Sequence, residues 1–278
     1  MITALTIEEN QPQDGLQRLK ACLHRNQLRT EQRTYRGVMV HHVLYERKRR
    51  TISWGKITKA LGEGKTALLY SGKEPLPPGL RRYRSLAFMH RMAENGALQV
   101  LQTLGVEPYR LKIGLYDPAG THSGLLNALL PFSACIHAVS ANYPVYADEA
   151  EGVMENSGAY IAVHKNPKIL ASCQVIIAPQ KIREQIPLSN GCVVFTGQPP
   201  AVELPGLLLD RFRIKLPKAY AQLKPCHISD EYFACALYDG EQQYALGELS
   251  PYAYEVCGKE MPLAQLCRFL QTQSAYWR

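Results

Sequence analysis

Short apolar segments separated by helical or polar stretches make up the middle of the chain. The apolar segments cover residues 111–116, 135–139, 159–163, 175–178 and 192–195. Continuous apolar runs of this length are typical of strands buried on both faces, as in a parallel sheet covered by helices. With right-handed crossovers between them, the segments predict a doubly wound α/β domain over residues 109–200.

Residues 1–108 show a second, smaller α/β pattern. Residues 2–7, 35–45 and 66–70 are strand-like, and residues 15–26 and 53–61 are helical. After a proline-rich break, residues 85–104 predict a long helix that connects the two domains. Its apolar face is expected to carry Leu86, Met89, Ala93, Leu101 and Leu104.

The pattern weakens after Pro200, where residues 201–278 are expected to pack as turns and helices on the other two domains. Ser229 is a candidate N-cap because Asp230 and Glu231 follow it in what would be the first helical turn. A last helix is predicted from Pro262 to Gln271, with the proline at its first position.

Composition and charge place the chain among folded proteins and locate its basic character. The 278 residues are 46% apolar and 20% charged, which excludes intrinsic disorder as the main state. The net charge of +8 is uneven. Residues 1–108 hold 18 basic and 9 acidic side chains, and residues 109–278 hold 14 and 15. The positive charge therefore belongs to the N-terminal third.

The sequence favours a cytoplasmic protein that is not inserted in a membrane. The N-terminus lacks the basic and then apolar pattern of a secretory signal, and the most apolar stretch, residues 125–141, is interrupted by Asn127 and Pro131. The eight cysteines include no C-x-x-C pair, which favours a reducing compartment over a disulfide framework. Assembly into a homo-oligomer is compatible with the sequence.

Ligands of open parallel sheets bind beyond the carboxyl ends of the strands, so these ends supply the candidate site. The candidate residues are Asp117, Gly120, Thr121, His122, Ser123, Asn142, Ala178, Pro179, Thr196 and Gly197. Gly120 permits close approach of the backbone, and the following residues would present unpaired N–H groups at the start of a helix. We expect a small anionic ligand or a nucleotide there.

The strand ends also carry a family resemblance. The stretches 113–120, 170–178 and 192–197 resemble the NAD(P)-binding Rossmann domain of shikimate dehydrogenase and glutamyl-tRNA reductase. The resemblance implies a Rossmann-like fold, NAD or NADP as cofactor and an NAD(P)-dependent oxidoreductase.

Departures from that family support an alternative function. Of the glycine fingerprint, only Gly120 is matched, and Asp117 would put a negative charge beside a pyrophosphate. Asn142 stands where NAD enzymes hold the ribose with an acid. The alternative is a non-catalytic binding or regulatory protein that keeps the fold without the dinucleotide site. No catalytic residue is assigned.

Two further sets of residues are candidate sites. Cys135 with His137, and Cys226 with His227, are two-residue fragments that lack the four ligands of a structural zinc site, so no metal is expected. The basic clusters at residues 47–50 and 81–84 lie beside aromatic residues. A solvated loop accounts for them, and a third hypothesis is nucleic-acid binding.

Overall fold

The computed structural model describes residues 1–9, 26–48, 51–239 and 243–273. Its contacts group the chain into two compact units. Unit 1 comprises Met1–Ser85 and Leu216–Tyr244, and unit 2 comprises Leu86–Lys215 and Ala245–Arg278. These limits differ from residues 1–108, 109–200 and 201–278, and the division into those three domains stays a prediction.

The elements are named here in chain order. The strands are β1 (Ile2–Glu9), β2 (Gln27–Tyr35), β3 (Val38–Arg47), β4 (Leu68–Leu69), β5 (Lys112–Tyr116), β6 (Cys135–Val139), β7 (Tyr160–His164), β8 (Val175–Ala178), β9 (Val193–Thr196), β10 (Leu207–Leu209), β11 (Phe212–Arg213), β12 (Ala253–Val256) and β13 (Lys259–Pro262). The helices are α1 (Trp54–Leu61), α2 (Ala87–Leu104), α3 (Leu125–Leu129), α4 (Tyr143–Ser157), α5 (Lys218–Ala221), α6 (Asp230–Tyr238) and α7 (Leu263–Gln273).

Unit 1 is built on a four-stranded sheet of order β2-β3-β1-β4. Strand β1 runs parallel to β3 and β4, whereas β2 is antiparallel to β3. Side chains of β1 and β3 pack with α1 in a core that includes Leu5, Val43, Tyr45, Ile57 and Leu61. The helix predicted over residues 15–26 lies almost entirely outside the described residues.

The single strand predicted over residues 35–45 is wrong at its start. Arg36 and Gly37 both have positive φ, of 47° and 81°, and form a two-residue turn between β2 and β3. Such turns match the twist of a hairpin. Strand β2 was not predicted because it lies at the sheet edge and is exposed along most of its length, so it has no apolar alternation.

Unit 2 contains a six-stranded, fully parallel sheet of order β10-β9-β8-β5-β6-β7. In chain order this is the 3-2-1-4-5-6 arrangement of Rossmann-like sheets, with the topological switch point between β5 and β8. The parallel sheet predicted from the sequence is confirmed, and β10 is a sixth strand that was not predicted. The switch point is where the strand ends of the candidate site converge.

Helix α2 packs against β8 and β9. Its buried side chains include Phe88, Met92, Ala97 and Val100. Of the expected face, Ala93, Leu101 and Leu104 are buried, but Leu86 precedes the helix and is 46% exposed. At the N-terminal end of the helix, the buried face therefore carries Phe88 and Met92 and not the predicted Leu86.

The last third of the chain contributes to both units. Helix α6 begins at the predicted N-cap, where the Ser229 hydroxyl accepts a hydrogen bond from the Tyr232 amide at 3.2 Å. In unit 2, β11, β12 and β13 form a small antiparallel sheet that was not predicted. In the described part of the chain no helix combines the length and apolarity that a membrane crossing needs.

Candidate functional site

Asp117 directly follows β5 and is fully buried at the carboxyl edge of the parallel sheet. Its carboxylate accepts hydrogen bonds from the Tyr146 hydroxyl and the His122 amide, each at 2.7 Å. The side-chain amide of Gln180 donates to it at 3.0 Å. Burial and the bond to Asp117 raise the pKa of Tyr146 far above its ordinary value. The buried charge is therefore surrounded by donors, which is what a carboxylate away from water requires.

Gln180 follows β8 and closes the switch point beside β5. Its amide nitrogen lies 3.0 Å from both a carboxylate oxygen of Asp117 and the Thr121 hydroxyl. The loops that follow the two central strands are thus joined by side-chain hydrogen bonds. This junction occupies the crevice in which sheets of this topology bind their ligands.

Next to this junction, the buried carboxylate of Glu94 pairs with the half-buried imidazole of His122. Glu94 lies on α2, and its carboxylate contacts Nδ1 of His122 and, at 3.1 Å, a guanidinium nitrogen of Arg91. Burial works to lower the pKa of His122, but the hydrogen bond to Glu94 and the charges of Glu94 and Asp117 raise it on balance. His122 is therefore held toward its cationic form.

His90 lies one helical turn before Glu94 and faces His122. The two imidazole rings meet edge to face, with centroids 5.6 Å apart and planes inclined by 72°. The side-chain amide of Gln198 lies 3.1 Å from Nε2 of His90. Burial, and then the charge of His122, lower the pKa of His90. The neighbouring histidines are thus shifted in opposite directions.

Close packing of α2 on the end of β9 places His90 at this edge. A Cβ atom at Gly197 would lie 2.7 Å from the Met89 carbonyl oxygen and 2.9 Å from the His90 nitrogen. Only glycine lets the two backbones approach this closely. The Thr196 hydroxyl donates to the Gln198 carbonyl at 2.8 Å and fixes the turn that carries Gln198.

The structure brings some of the predicted residues together and separates others. Asp117, Thr121 and His122 share one hydrogen-bonded cluster, and Thr196 and Gly197 lie beside His90. Gly120, with φ of 74°, lies against Asn142, where a Cβ would come 2.7 Å from the Asn142 Cβ. Ala178 and Pro179 are buried. Ser123 instead lines a separate groove of about 530 Å³ between α3 and α4.

The sequence interpretation did not choose six members of the site as candidates, although two of them, Gln180 and Gln198, follow predicted strand ends. They are His90, Arg91, Glu94, Tyr146, Gln180 and Gln198. One signal was present, because Glu94 follows Met92 and Ala93 and precedes Gly96 and Ala97 on the buried face of a helix. A carboxylate on such a face needs a partner.

The residues at this edge do not fit the pyrophosphate of a dinucleotide at the loop after β5. In dinucleotide sites, free backbone N–H groups of this loop bind the phosphates. Here the His122 N–H is already bonded to the Asp117 carboxylate, and Gln180 crosses the switch point. Helix α3, which follows the loop, has only five residues. The binding of NAD or NADP stays a prediction.

The other sequence candidates are not members of this cluster. Among the described residues, no group of three His, Cys, Asp or Glu side chains is placed to hold a metal ion. Cys135 Sγ lies 3.6 Å from Nε2 of His137 on β6. In the basic clusters, Arg47 is paired with Glu9 and Glu74, and Arg82 stacks on the ring of Tyr70. Nucleic-acid binding stays a hypothesis.

Comparisons with known proteins add little to this geometry. No protein family model matches the chain, and no curated protein is similar to it. Among solved structures, it is similar to the Δ1-pyrroline-2-carboxylate reductase of Thermococcus litoralis, which was solved in complex with NADH and L-proline. The similarity covers 39% of this chain and 36% of the reductase, with 16% sequence identity and a TM-score of 0.29.

Proposed function

We propose that the carboxyl edge of the six-stranded sheet binds a small ligand with a carboxylate or phosphate group. Its cationic contacts are His122 and Arg91. The observation that carries the proposal is the orientation of the charges at this edge. The Glu94 side chain is 7% exposed, whereas those of His122 and Arg91 are 17% and 45% exposed.

An approaching ligand therefore meets the cations first, although the cluster is close to neutral as a whole. Glu94 is bonded to His122 and Arg91, and Asp117 accepts hydrogen bonds from four donors. No described residue engages Nε2 of His122. That nitrogen is a free donor for an oxygen atom of the ligand, and charge-assisted hydrogen bonds of this kind are among the stronger polar contacts in proteins.

Thermal unfolding tests this function directly, since a ligand that binds only the folded protein raises its stability. The panel is inorganic phosphate, citrate, pyruvate, ATP, S-adenosylmethionine, NAD and NADP. We expect a small anion to raise the melting temperature of the wild type. The shift should disappear in His122→Gln and in Arg91→Gln and persist in His41→Gln, a matched change in unit 1.

A second candidate function is supported by the junction between Asp117 and Gln180. It is a non-catalytic protein that keeps the Rossmann-like sheet without a ligand at the switch point. In that case no member of the panel raises the melting temperature. A shift with NAD or NADP alone would contradict both candidates and would support the dinucleotide-dependent oxidoreductase that the sequence resemblance implies.

A further inference from the structure

The two histidines at the edge of the sheet hold their protons differently. A carboxylate can only accept a hydrogen bond, so the contact with Glu94 requires a proton on Nδ1 of His122. This leaves Nε2 as the nitrogen that exchanges protons with a ligand. The same use of a carboxylate to fix the tautomer and direction of an imidazole is common where histidine acts as an acid or base.

His90 is held as a neutral ring. Its Nε2 faces the side-chain amide of Gln198 at 3.1 Å. A neutral imidazole satisfies this contact whichever end of the amide faces it, because the ring offers one acceptor and one donor. His90 therefore keeps one nitrogen without a proton, next to a histidine that tends to carry two.

The charged and titratable groups that face this pair reinforce the difference. Glu94 and Asp117 favour the charged form of His122, and Arg91 opposes it more weakly. For His90, burial and the charge of His122 together favour the neutral form over the pull of the two carboxylates. Adjacent groups whose pKa values are pushed apart are the usual arrangement of an acid and a base in one site.

We propose that His122 and His90 are the general acid and the general base of a proton-transfer site. Its substrate is a small carbonyl compound that bears a carboxylate or phosphate and has a C–H bond next to the carbonyl. The inference rests on the proposed function, which supplies the anionic group. The two rings are in edge-to-face contact, with centroids 5.6 Å apart, so a small molecule that contacts His122 lies beside His90 as well.

The step balances without a further reactant. The unprotonated nitrogen of His90 takes a proton from the carbon, and the electron pair of that C–H bond forms a carbon–carbon double bond. The π electrons of the carbonyl move to oxygen, which takes the proton of Nε2 of His122. The product is an enol, with His90 protonated and His122 neutral, and the reverse step regenerates both. Glu94 acts as a positioning residue, because it touches His122 and not the substrate.

Exchange of carbon-bound hydrogen with solvent deuterium tests the inference. The probes are pyruvate, 2-oxobutyrate and dihydroxyacetone phosphate in D₂O, followed by proton NMR. We expect the wild type to accelerate loss of the signal next to the carbonyl for at least one probe. His90→Gln and His122→Gln should each lower this rate by about 100-fold or more. His41→Gln should leave the rate unchanged.

Two readouts separate a failure of the chemistry from a failure of binding. If a probe raises the melting temperature but its hydrogens do not exchange faster, the acid–base inference is wrong and the proposed function stands. If none of the three probes raises the melting temperature, the acid–base inference is wrong, and the wider anion panel decides the proposed function separately. Exchange that survives both histidine substitutions also overturns the inference.

A titration of the ligand-free protein keeps the inference testable if the histidine variants fail to fold. The imidazole signals of the wild type should show His122 titrating at a higher pH than His90. In Glu94→Gln, the titration of His122 should move to lower pH, because the anionic partner is lost. If His90 titrates at a higher pH than His122 in the wild type, the inference is wrong.

Discussion

Four donors converge on the Asp117 carboxylate. They are the Tyr146 hydroxyl, the His122 amide, the Gln180 side chain and, at 3.5 Å, the Thr121 hydroxyl. A ligand phosphate would accept from the same kinds of groups in a dinucleotide-binding loop. In this protein the anion is part of the chain. A feature that looked unfavourable for a ligand in the sequence thus has a structural role.

The loss of stability caused by a substitution at this cluster should increase with the number of donors that lose their acceptor. Asp117→Ala leaves the Tyr146 hydroxyl and the His122 amide without an acceptor, whereas Gln180 keeps its bond to Thr121. It should lower the free energy of unfolding by about 2 kcal/mol or more, since each buried unpaired group costs about 1–3 kcal/mol. Tyr146→Phe removes one bond and should cost about 1 kcal/mol. Urea unfolding measures both, and equal losses would show that the Asp117 carboxylate is not the centre of the network.

The two histidines should give opposite dependences of stability on pH. The raised pKa of His122 contributes stability that is full below the unfolded value near 6.5 and is lost as pH rises through the folded pKa. The destabilisation caused by His122→Gln should therefore be larger at pH 5.5 than at pH 8.5, by chemical denaturation.

His90 has the reverse sign, because its pKa is lowered in the folded protein. The wild type loses stability as pH falls below the unfolded value near 6.5, where the unfolded chain binds the proton more readily. His90→Gln should remove this loss, so the variant compares more favourably with the wild type at pH 5.5 than at pH 8.5. Parallel pH profiles for the two variants would contradict the assignment of opposite shifts.

Among the secondary-structure elements, the contact between α2 and the end of β9 determines where the site forms. Gly197→Ala would force its Cβ against the backbone of Met89 and His90, which cannot move as a flexible side chain can. Overpacking of this kind costs about 1–3 kcal/mol. Gly152→Ala, in the middle of α4 with nothing within 4 Å of its Cβ, is the matched control. It should stabilise the protein by about 0.5–1 kcal/mol.

Thermal or urea unfolding compares the two glycine variants. We expect Gly197→Ala to lower the stability of the protein and Gly152→Ala to raise it. In Gly197→Ala, the contact between His90 and Gln198 should also be lost. If Gly197→Ala is as stable as the wild type, α2 does not pack against β9 as closely as described above.

Elements with a strong pattern of apolar residues could be predicted, and those without it could not. The five predicted strands of the parallel sheet are buried and apolar, so their order along the chain was readable. Strand β2 is polar because it lies at an edge, and β10 has only three residues. Their pairing depends on partners that are distant in sequence, which a local pattern does not contain.

The same limit applies to the site. Asp117 and His122 follow a strand directly, so their position at the sheet edge could be inferred. Glu94 and His90 reach that edge from a helix that precedes β5 in the chain. No spacing rule links them to His122, because the contact arises from tertiary packing of α2. The pairing of carboxylate and imidazole became visible only with the fold.

At the scale of the whole molecule, each unit has core residues from the last third of the chain. Phe233 on α6 is fully buried in unit 1, and Leu266 on α7 is fully buried in unit 2. Truncating either side chain to alanine should cost about 2–5 kcal/mol. Hydrogen exchange should show where the loss appears.

We expect Phe233→Ala to lower amide protection mainly in β1 and β3, and Leu266→Ala to lower it mainly in the six-stranded sheet. This follows if each unit opens as its own cooperative group. Mass spectrometry of exchanged peptides distinguishes the two patterns. Equal loss of protection in both units for both variants would show that the protein unfolds as a single group.

The discontinuity of the two units has a consequence for synthesis on the ribosome. Unit 1 begins with Met1 but includes Leu216–Tyr244, and unit 2 also includes Ala245–Arg278. Domains usually fold as units, in the order in which they emerge. The four-stranded sheet of unit 1 is therefore translated before α6, and the whole parallel sheet is translated between them. Strand β4, which α6 contacts, lacks that partner during the interval.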